Sequence, residues 1–473
     1  LAGNTGDEEY GENAEYTVND LTVVLANENG IAMQVITPTL KPVSNANEAD
    51  RQVRVTEPFK CTPGKYKVYV LANYNNSQSS LSPIIKGSTD MKAVFGIGEI
   101  PKLYTKDNFF MTNTSAPEAK EIKTNATDKE VDDAGTEITG GKTNLNLLQV
   151  DVERAVSKVT FNNDVDHLSF DIKQGDNTLA TTIAKATLEG VSLINLNKKM
   201  YLVKDGKPAT NKPVAADVEW PYPMDPNYDK TLEAADYADY IAANFAQPKA
   251  KATVFSGLSS DTKFYCPENT MAANAQLNGQ TTGVVYKVKY VPVGDYYTVL
   301  DAENGTDSYS KMFKSVLQLG TENIDPLITN DIFTTADSKD GTFYSYNGYV
   351  FRSKAGARLY KAIATNPDAD AATVNTAFQN PKIDDGIQTY EKGYCYYTAW
   401  IKHNPNGTTM QQDKYGVVRN FWYELTVNSI KKLGYSQPTY ENPKTPDDKE
   451  EASIQVQVNI KKWRVVKQNL DLE

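Results

Sequence analysis

Histidine and cysteine are nearly missing from this chain of 473 residues, and each shortage excludes a chemistry. Two histidines, His167 and His403, leave little material for imidazole catalysis or a multi-histidine metal site. Three cysteines, Cys61, Cys266 and Cys395, do not make a disulfide framework. No apolar run approaches the ~20 residues that span a bilayer as a helix. Basic blocks are missing too. Lys and Arg total 49 against 60 Asp and Glu, a formal charge of −11 that argues against nucleic acid as a partner. What the chain does have is 40% hydrophobic residues and 29 tyrosines, enough to build real cores. Its length corresponds to two to four domains at roughly 100–200 residues each.

Strand signals dominate, with β-branched and aromatic residues alternating between turn residues. The clearest run is Lys65-Tyr-Lys-Val-Tyr-Val-Leu-Ala72, and residues 21–26, 145–152, 155–161, 284–292, 394–401 and 421–430 read the same way. Helical patterning is sparse: 231–245 and 307–319 are the best stretches, with 358–365 a shorter one. Residues 115–143 and 204–226 read as long loops. The pattern is all-β with minor helical insertions, two β-sandwiches in tandem. The expected organisation is an acidic N-terminal arm at 1–20, one sandwich at 21–162 and a larger one with insertions at 163–436. A Pro-rich spacer follows at 437–451, then an apolar segment at 452–473.

The chemical motifs fail on inspection. Gly140-Gly-Lys-Thr143 lacks the earlier glycine of a phosphate loop, since Thr136 stands there, and no buried strand precedes it. Both histidines lie in loop-like contexts and read as surface residues. Asp368-Ala-Asp370 is too short for a calcium loop and reads as a loop cap. The cysteines read as buried thiols, with a Cys266–Cys395 bond left open. The rings around Trp220 and in residues 343–349 suit either a sugar-stacking face or ordinary packing. No catalytic pair, cofactor or metal site is singled out.

The last segment stands apart. Ile454, Val456, Val458 and Ile460 alternate with Gln455, Gln457 and Asn459, and Trp463, Val465, Val466, Leu470 and Leu472 follow. Termini usually fray, so an apolar alternating strand behind a tether needs a sheet to join. At the other end no apolar strand precedes Leu21, as if the first sandwich lacked one.

Several segments, taken in order, resemble the fimbrillins of Bacteroidia-type (type V) pili, especially the minor or short-fimbria shaft subunit. They include Gly64-Lys-Tyr-Lys-Val-Tyr-Val-Leu-Ala-Asn73, Val152-Glu-Arg-Ala-Val-Ser-Lys-Val159 and Tyr265-Cys-Pro-Glu-Asn-Thr270. The C-terminal ones are Gly393-Tyr-Cys-Tyr-Tyr-Thr-Ala-Trp400, Val418-Arg-Asn-Phe-Trp-Tyr423 and Val458-Asn-Ile-Lys-Lys-Trp463. The resemblance implies two transthyretin-like β-sandwich domains and a lipoprotein precursor exported to the outer membrane. It implies a processing protease that leaves a new N-terminus at Leu1 and an open groove in the first domain. A neighbouring subunit's C-terminal strand then fills that groove. The implied role is a polymerising shaft subunit of a cell-surface fimbrium, supporting adhesion and biofilm formation. Its partners are other copies of itself, anchor and tip subunits, the protease, and a host protein or glycan.

On this reading the donor strand presents Ile454, Val456, Val458, Ile460, Trp463, Val465, Leu470 and Leu472. The N-terminal strand residues Val23, Leu25, Tyr66, Val68 and Val70 are taken as the acceptor groove. Residues 454–460 completing the chain's own domain, while 463–472 reaches out, is a variant of the same idea. A tip or accessory adhesin is the alternative role, and a secreted glycan-processing enzyme a remote one.

Overall fold

A computed structural model describes residues 8–9, 11–42, 53–77, 81–97, 103–105, 107–123, 146–163, 165–173, 182–204, 222–229, 237–246, 254–293, 337–366, 369–438, 442–463 and 466–472. Its principal strands, in chain order, are β1 (Glu8–Glu9), β2 (Leu21–Ala26), β3 (Ala32–Ile36), β4 (Val53–Val55), β5 (Gly64–Ala72) and β6 (Met111–Asn113). Then come β7 (Ala119–Ile122), β8 (Leu147–Arg154), β9 (Val156–Phe161), β10 (Ser169–Lys173), β11 (Thr182–Ile194) and β12 (Lys263–Pro267). The chain closes with β13 (Gly283–Pro292), β14 (Tyr394–Trp400), β15 (Phe421–Ile430), β16 (Ile454–Trp463) and β17 (Val466–Asp471). The fold is all-β with a few short helices.

Three sheets carry most of it. The first runs β3-β2-β5-β6-β8-β17-β4, with β7 also on β5. Its β2, Leu-Thr-Val-Val-Leu-Ala, is buried at all six positions, as a strand covered on both faces must be. The second runs β1-β16-β15-β9-β12, and the third β10-β11-β13-β14. The chain leaves the first sheet for the second in a single residue, Ala155, between β8 and β9. Sequence reading kept both strands in the first sandwich and put the boundary after residue 162. The sheets change seven residues earlier, because β9 pairs parallel with β15 and antiparallel with β12. Arg154 holds this corner. It is fully buried, its Nη1 donates to Asn420 Oδ1 at 3.0 Å, and its Nε donates to the Glu15 carbonyl at 2.6 Å.

Beside that corner, charges are buried in pairs, as burial demands. Lys204 Nζ lies 2.7 Å from Glu153 Oε2, and Arg419 Nη2 lies 3.2 Å from Glu268 Oε1. Arg419 also donates to the carbonyls of Leu202 at 3.2 Å and Tyr201 at 2.8 Å. Loss of water pushes the Glu153 carboxyl up to about 7, against the pull of Lys204 and Arg419. The same cause pushes Asp225 up to about 8, although it accepts from the Asn227 and Thr270 amides at 2.6 and 2.8 Å. Carboxyls raised in the folded state bind more protons there than when unfolded. Their contribution is complete below the unfolded values near 4 and is lost as pH rises through 7 and 8. Thermal melts should therefore rise in temperature as pH falls from 8.5 to 6. In Glu153→Gln with Asp225→Asn that slope should flatten.

The principal helices are α1 (Asn13–Tyr16), α2 (Tyr237–Asn244), α3 (Lys354–Thr365) and α4 (Ala371–Gln379). The expected helix at 231–245 is α2, and the one at 358–365 is α3, begun four residues earlier by Ser353, whose Oγ accepts from the Gly356 amide. The expected helix at 307–319 lies outside the described residues, as does the Gly140–Thr143 motif. Asp370 does cap, but it caps α4, a helix the sequence reading missed. The ring-rich residues 343–349 are packing: Phe343 stacks on Tyr390 at 4.6 Å, and Tyr346 and Tyr349 pack on Tyr360 of α3. Trp220 lies outside the described residues.

Two further expectations change. His167 is exposed as read, but His403 is fully buried, with Nδ1 2.7 Å from Tyr423 Oη. Cys266 and Cys395 are not bonded to each other. Both are free thiols, and burial pushes them up to about 12. Cys266 Sγ sits 3.1 Å from Ser157 Oγ, so its environment is a neutral polar contact rather than a second sulfur. Among the described residues no helix is long and apolar enough to cross a membrane, and no group of three His, Cys, Asp or Glu is placed to hold a metal.

Candidate strand-exchange site

The apolar C-terminal segment is two strands in two different sheets. The first, β16, runs antiparallel to β15, from Ile454 opposite Ile430 to Lys462 opposite Phe421. It gives the second sheet Ile454 and Val458, both buried, and half-buried Val456. Ile460 and Trp463 belong to this strand by register, opposite Tyr423 and Glu9 respectively. Val465 lies outside the described residues.

The second, β17, crosses into the first sheet and fills a slot between β8 and β4. Against β8 it is antiparallel, pairing Leu147 with Asp471, Leu148 with Leu470, Val150 with Gln468 and Val152 with Val466. Against β4 it is parallel, pairing Lys467 with Val53 and Asn469 with Val55. Leu472 continues as a bridge to Phe59. Both edges of the strand are thus laddered, which satisfies its backbone donors and acceptors. Leu470 and Leu472 are 0% exposed, in the same core as Val152, Leu148 and Phe59. Burying two leucines contributes roughly 1.5–3 kcal/mol each.

The slot is not where Val23, Leu25, Tyr66, Val68 and Val70 lie. Those residues belong to β2 and β5, which pair with each other, Val23 opposite Val70 and Leu25 opposite Val68. Between β5 and β17 stand β6 and β8. Alternation identifies such residues as core, but it does not say which strand borders the empty place. The residues that β17 pairs with include Leu148, Val150, Val152, Val53 and Val55. β8 was legible as a strand, and nothing local marks it as the slot wall. Leu1 lies outside the described residues.

One residue of β17 does not fit an apolar slot. Gln468 is 0% exposed, and neither its Oε1 nor its Nε2 has a hydrogen-bond partner among the described residues. A buried amide left unpaired costs about 1–3 kcal/mol. Gln468→Leu, close in volume, should hold the strand tighter and raise the urea midpoint of the isolated chain by a shift worth about 1–2 kcal/mol.

Two family models match stretches of the chain. Residues 1–149 match the model of the major fimbrial subunit protein FimA. Residues 388–469 match the C-terminal model of the type IV major fimbrial subunit protein, fimbrillin. Over these two stretches the chain resembles the fimbrillins. The first match ends inside β8 and the second inside β17.

Among solved structures, the chain is similar to a putative cell adhesion protein from Parabacteroides distasonis ATCC 8503 at 14% identity. That match covers 94% of each chain with a TM-score of 0.41. It is similar to a fimbrilin (fimA) from Porphyromonas gingivalis W83 at 10% identity, covering 98% of this chain and 95% of that one, TM-score 0.41. It is also similar to the tip fimbrial protein Mfa3 from Porphyromonas gingivalis at 13% identity, covering 95% and 96%, TM-score 0.35. No curated protein matches the chain. Both models describe subunits of a fimbria, and the matches support a fimbrial structural protein.

Proposed function

We propose that this chain is a polymerising shaft subunit that assembles by donor-strand exchange. The observation that carries the reading is β17 itself, a terminal strand laddered on both edges inside the sheet formed by the N-terminal third of the chain. A second copy's β17 meets the same β8 and β4 and fits them in the same register. A strand given by one end of the molecule to the other end of the next makes a heterologous joint, which extends without closing. The proposed donor is β17, with Leu470 and Leu472 as its anchors. β16 stays with the giver's own second sheet. The proposed acceptor is the slot between β8 and β4.

The same reading makes copies of this chain and the anchor and tip subunits its partners. It also includes an outer-membrane lipoprotein precursor, a protease that exposes the slot, and adhesion to a host protein or glycan and biofilm support as the filament's use. Deleting residues 464–473 tests it. The shortened chain should give no heat-resistant ladders on denaturing gels and no filaments in negative stain. Added to the intact chain, it should shorten the filaments, because its slot accepts a strand and it gives none. Filaments of unchanged length from the shortened chain would overturn the proposal.

A further inference from the structure

The described residues of the acidic N-terminal arm, 8–9 and 11–20, are tied into the fold at several points. Glu15 is fully buried, with Oε1 2.7 Å from Lys158 Nζ and 2.6 Å from Tyr265 Oη, while the Glu12 amide donates to its Oε2 at 2.8 Å. Arg154, at the corner between the sheets, grips the Glu15 carbonyl. Glu12 reaches Lys263 at 2.5 Å, and that ammonium holds its carboxyl below the usual range. Further along, Asn73, in the left-handed region at φ 58°, donates to the Thr17 carbonyl at 2.9 Å and accepts from the Asn19 amide at 2.8 Å. From this anchorage the arm runs back to one place. β1 pairs in parallel with the last two residues of β16, Glu8 opposite Lys462 and Glu9 opposite Trp463, and Glu9 lies 3.5 Å from Lys461. After two intervening residues the terminal strand β17 begins.

We infer that residues 8–9 and 11–16 are a latch on the root of the terminal strand: Glu15 fastens the arm to the corner between the sheets, and β1 clasps the end of β16 so that β17 is held in its slot. Two observations carry this independently. One is the buried anchor, whose polar atoms meet partners from β8, β9 and β12. The other is the position of the clasp, which covers the two β16 residues next to the strand that must leave. The inference rests on the strand-exchange reading for its meaning, but not for its test. A latch of this kind sets how often β17 opens, whichever copy receives it.

The test is hydrogen–deuterium exchange on the intact chain, read at residues 466–472 with β13 as the internal reference. In a Cys61→Ser background, Glu8→Cys with Lys462→Cys should form a disulfide across the clasp. Oxidised, residues 466–472 should exchange at least tenfold more slowly than after reduction, with β13 unchanged. Glu15→Gln, which removes the buried charge, should speed exchange at 466–472 at least fivefold relative to β13. Failure of the disulfide to form would overturn the clasp. Equal exchange at 466–472 in the oxidised and reduced forms, or in Glu15→Gln and the parent, would overturn the latch. Slowed exchange in the oxidised form with unimpaired filament growth would support the latch and count against strand exchange as the route of assembly.

Discussion

Leu470→Asp is expected to empty the slot. The wild-type side chain is 0% exposed opposite Leu148, so the substitution forfeits about 1.5–3 kcal/mol of burial. It would also bring a carboxylate among Val152, Leu148 and Leu472, where an unpaired charge is far costlier than an unpaired amide. A combined penalty of about 4 kcal/mol or more lowers occupancy of the slot by roughly a thousandfold. The chain should remain folded in its second and third sheets, lose protection from hydrogen exchange along β8 and β4, and yield no filaments. Gln149→Asp, on the exposed side of the same ladder, should change stability by no more than about 0.5 kcal/mol. Normal filaments from Leu470→Asp would mean that β17 is not the joint.

A second large effect is expected beside the corner between the sheets. Arg419→Ala should cost about 3–5 kcal/mol, because it leaves Glu268 buried without its cation and two carbonyls, of Tyr201 and Leu202, without their donor. Equilibrium unfolding in urea would show it as a lower midpoint at an unchanged slope. Arg419→Met combined with Glu268→Leu should recover more than half of the loss, since apolar replacement of both partners removes the stranded charge. A double variant as unstable as the single one would show that the two carbonyls, and not the ion pair, dominate.

Strands that bury one face by alternation were legible in the sequence. Residues 421–430 were read at the bounds the structure gives β15. The longest strand, β11, escaped because its buried positions 184 and 186 are alanines, too small to announce a period of two. The helix α4 escaped for the opposite reason, since its Thr and Asn residues look like loop. Glu15 was lost among acidic neighbours. Its signals were the Glu12–Glu15 capping box and the buried Tyr16 and Val18 beside it, a local pattern that charge counting hides. The slot wall could not be read at all. Register between β17 and β4 joins residues from nearly opposite ends of the chain, and no window of sequence contains both.

Only residues 464 and 465 separate β16 from β17. Three peptide links span at most about 11 Å. A β17 that lets go while β16 stays paired is therefore a short tether, swinging within a radius already filled by the molecule's own first sheet. To visit a slot elsewhere, the molecule has to peel β16 away from β15 as well, or swing its first sheet aside about Ala155. Either movement breaks native structure before any is regained. Assembly would then keep the time of partial unfolding and not of diffusion, running several-fold faster with each 10 °C of warming. A filament once formed would be slow to come apart for the same reason.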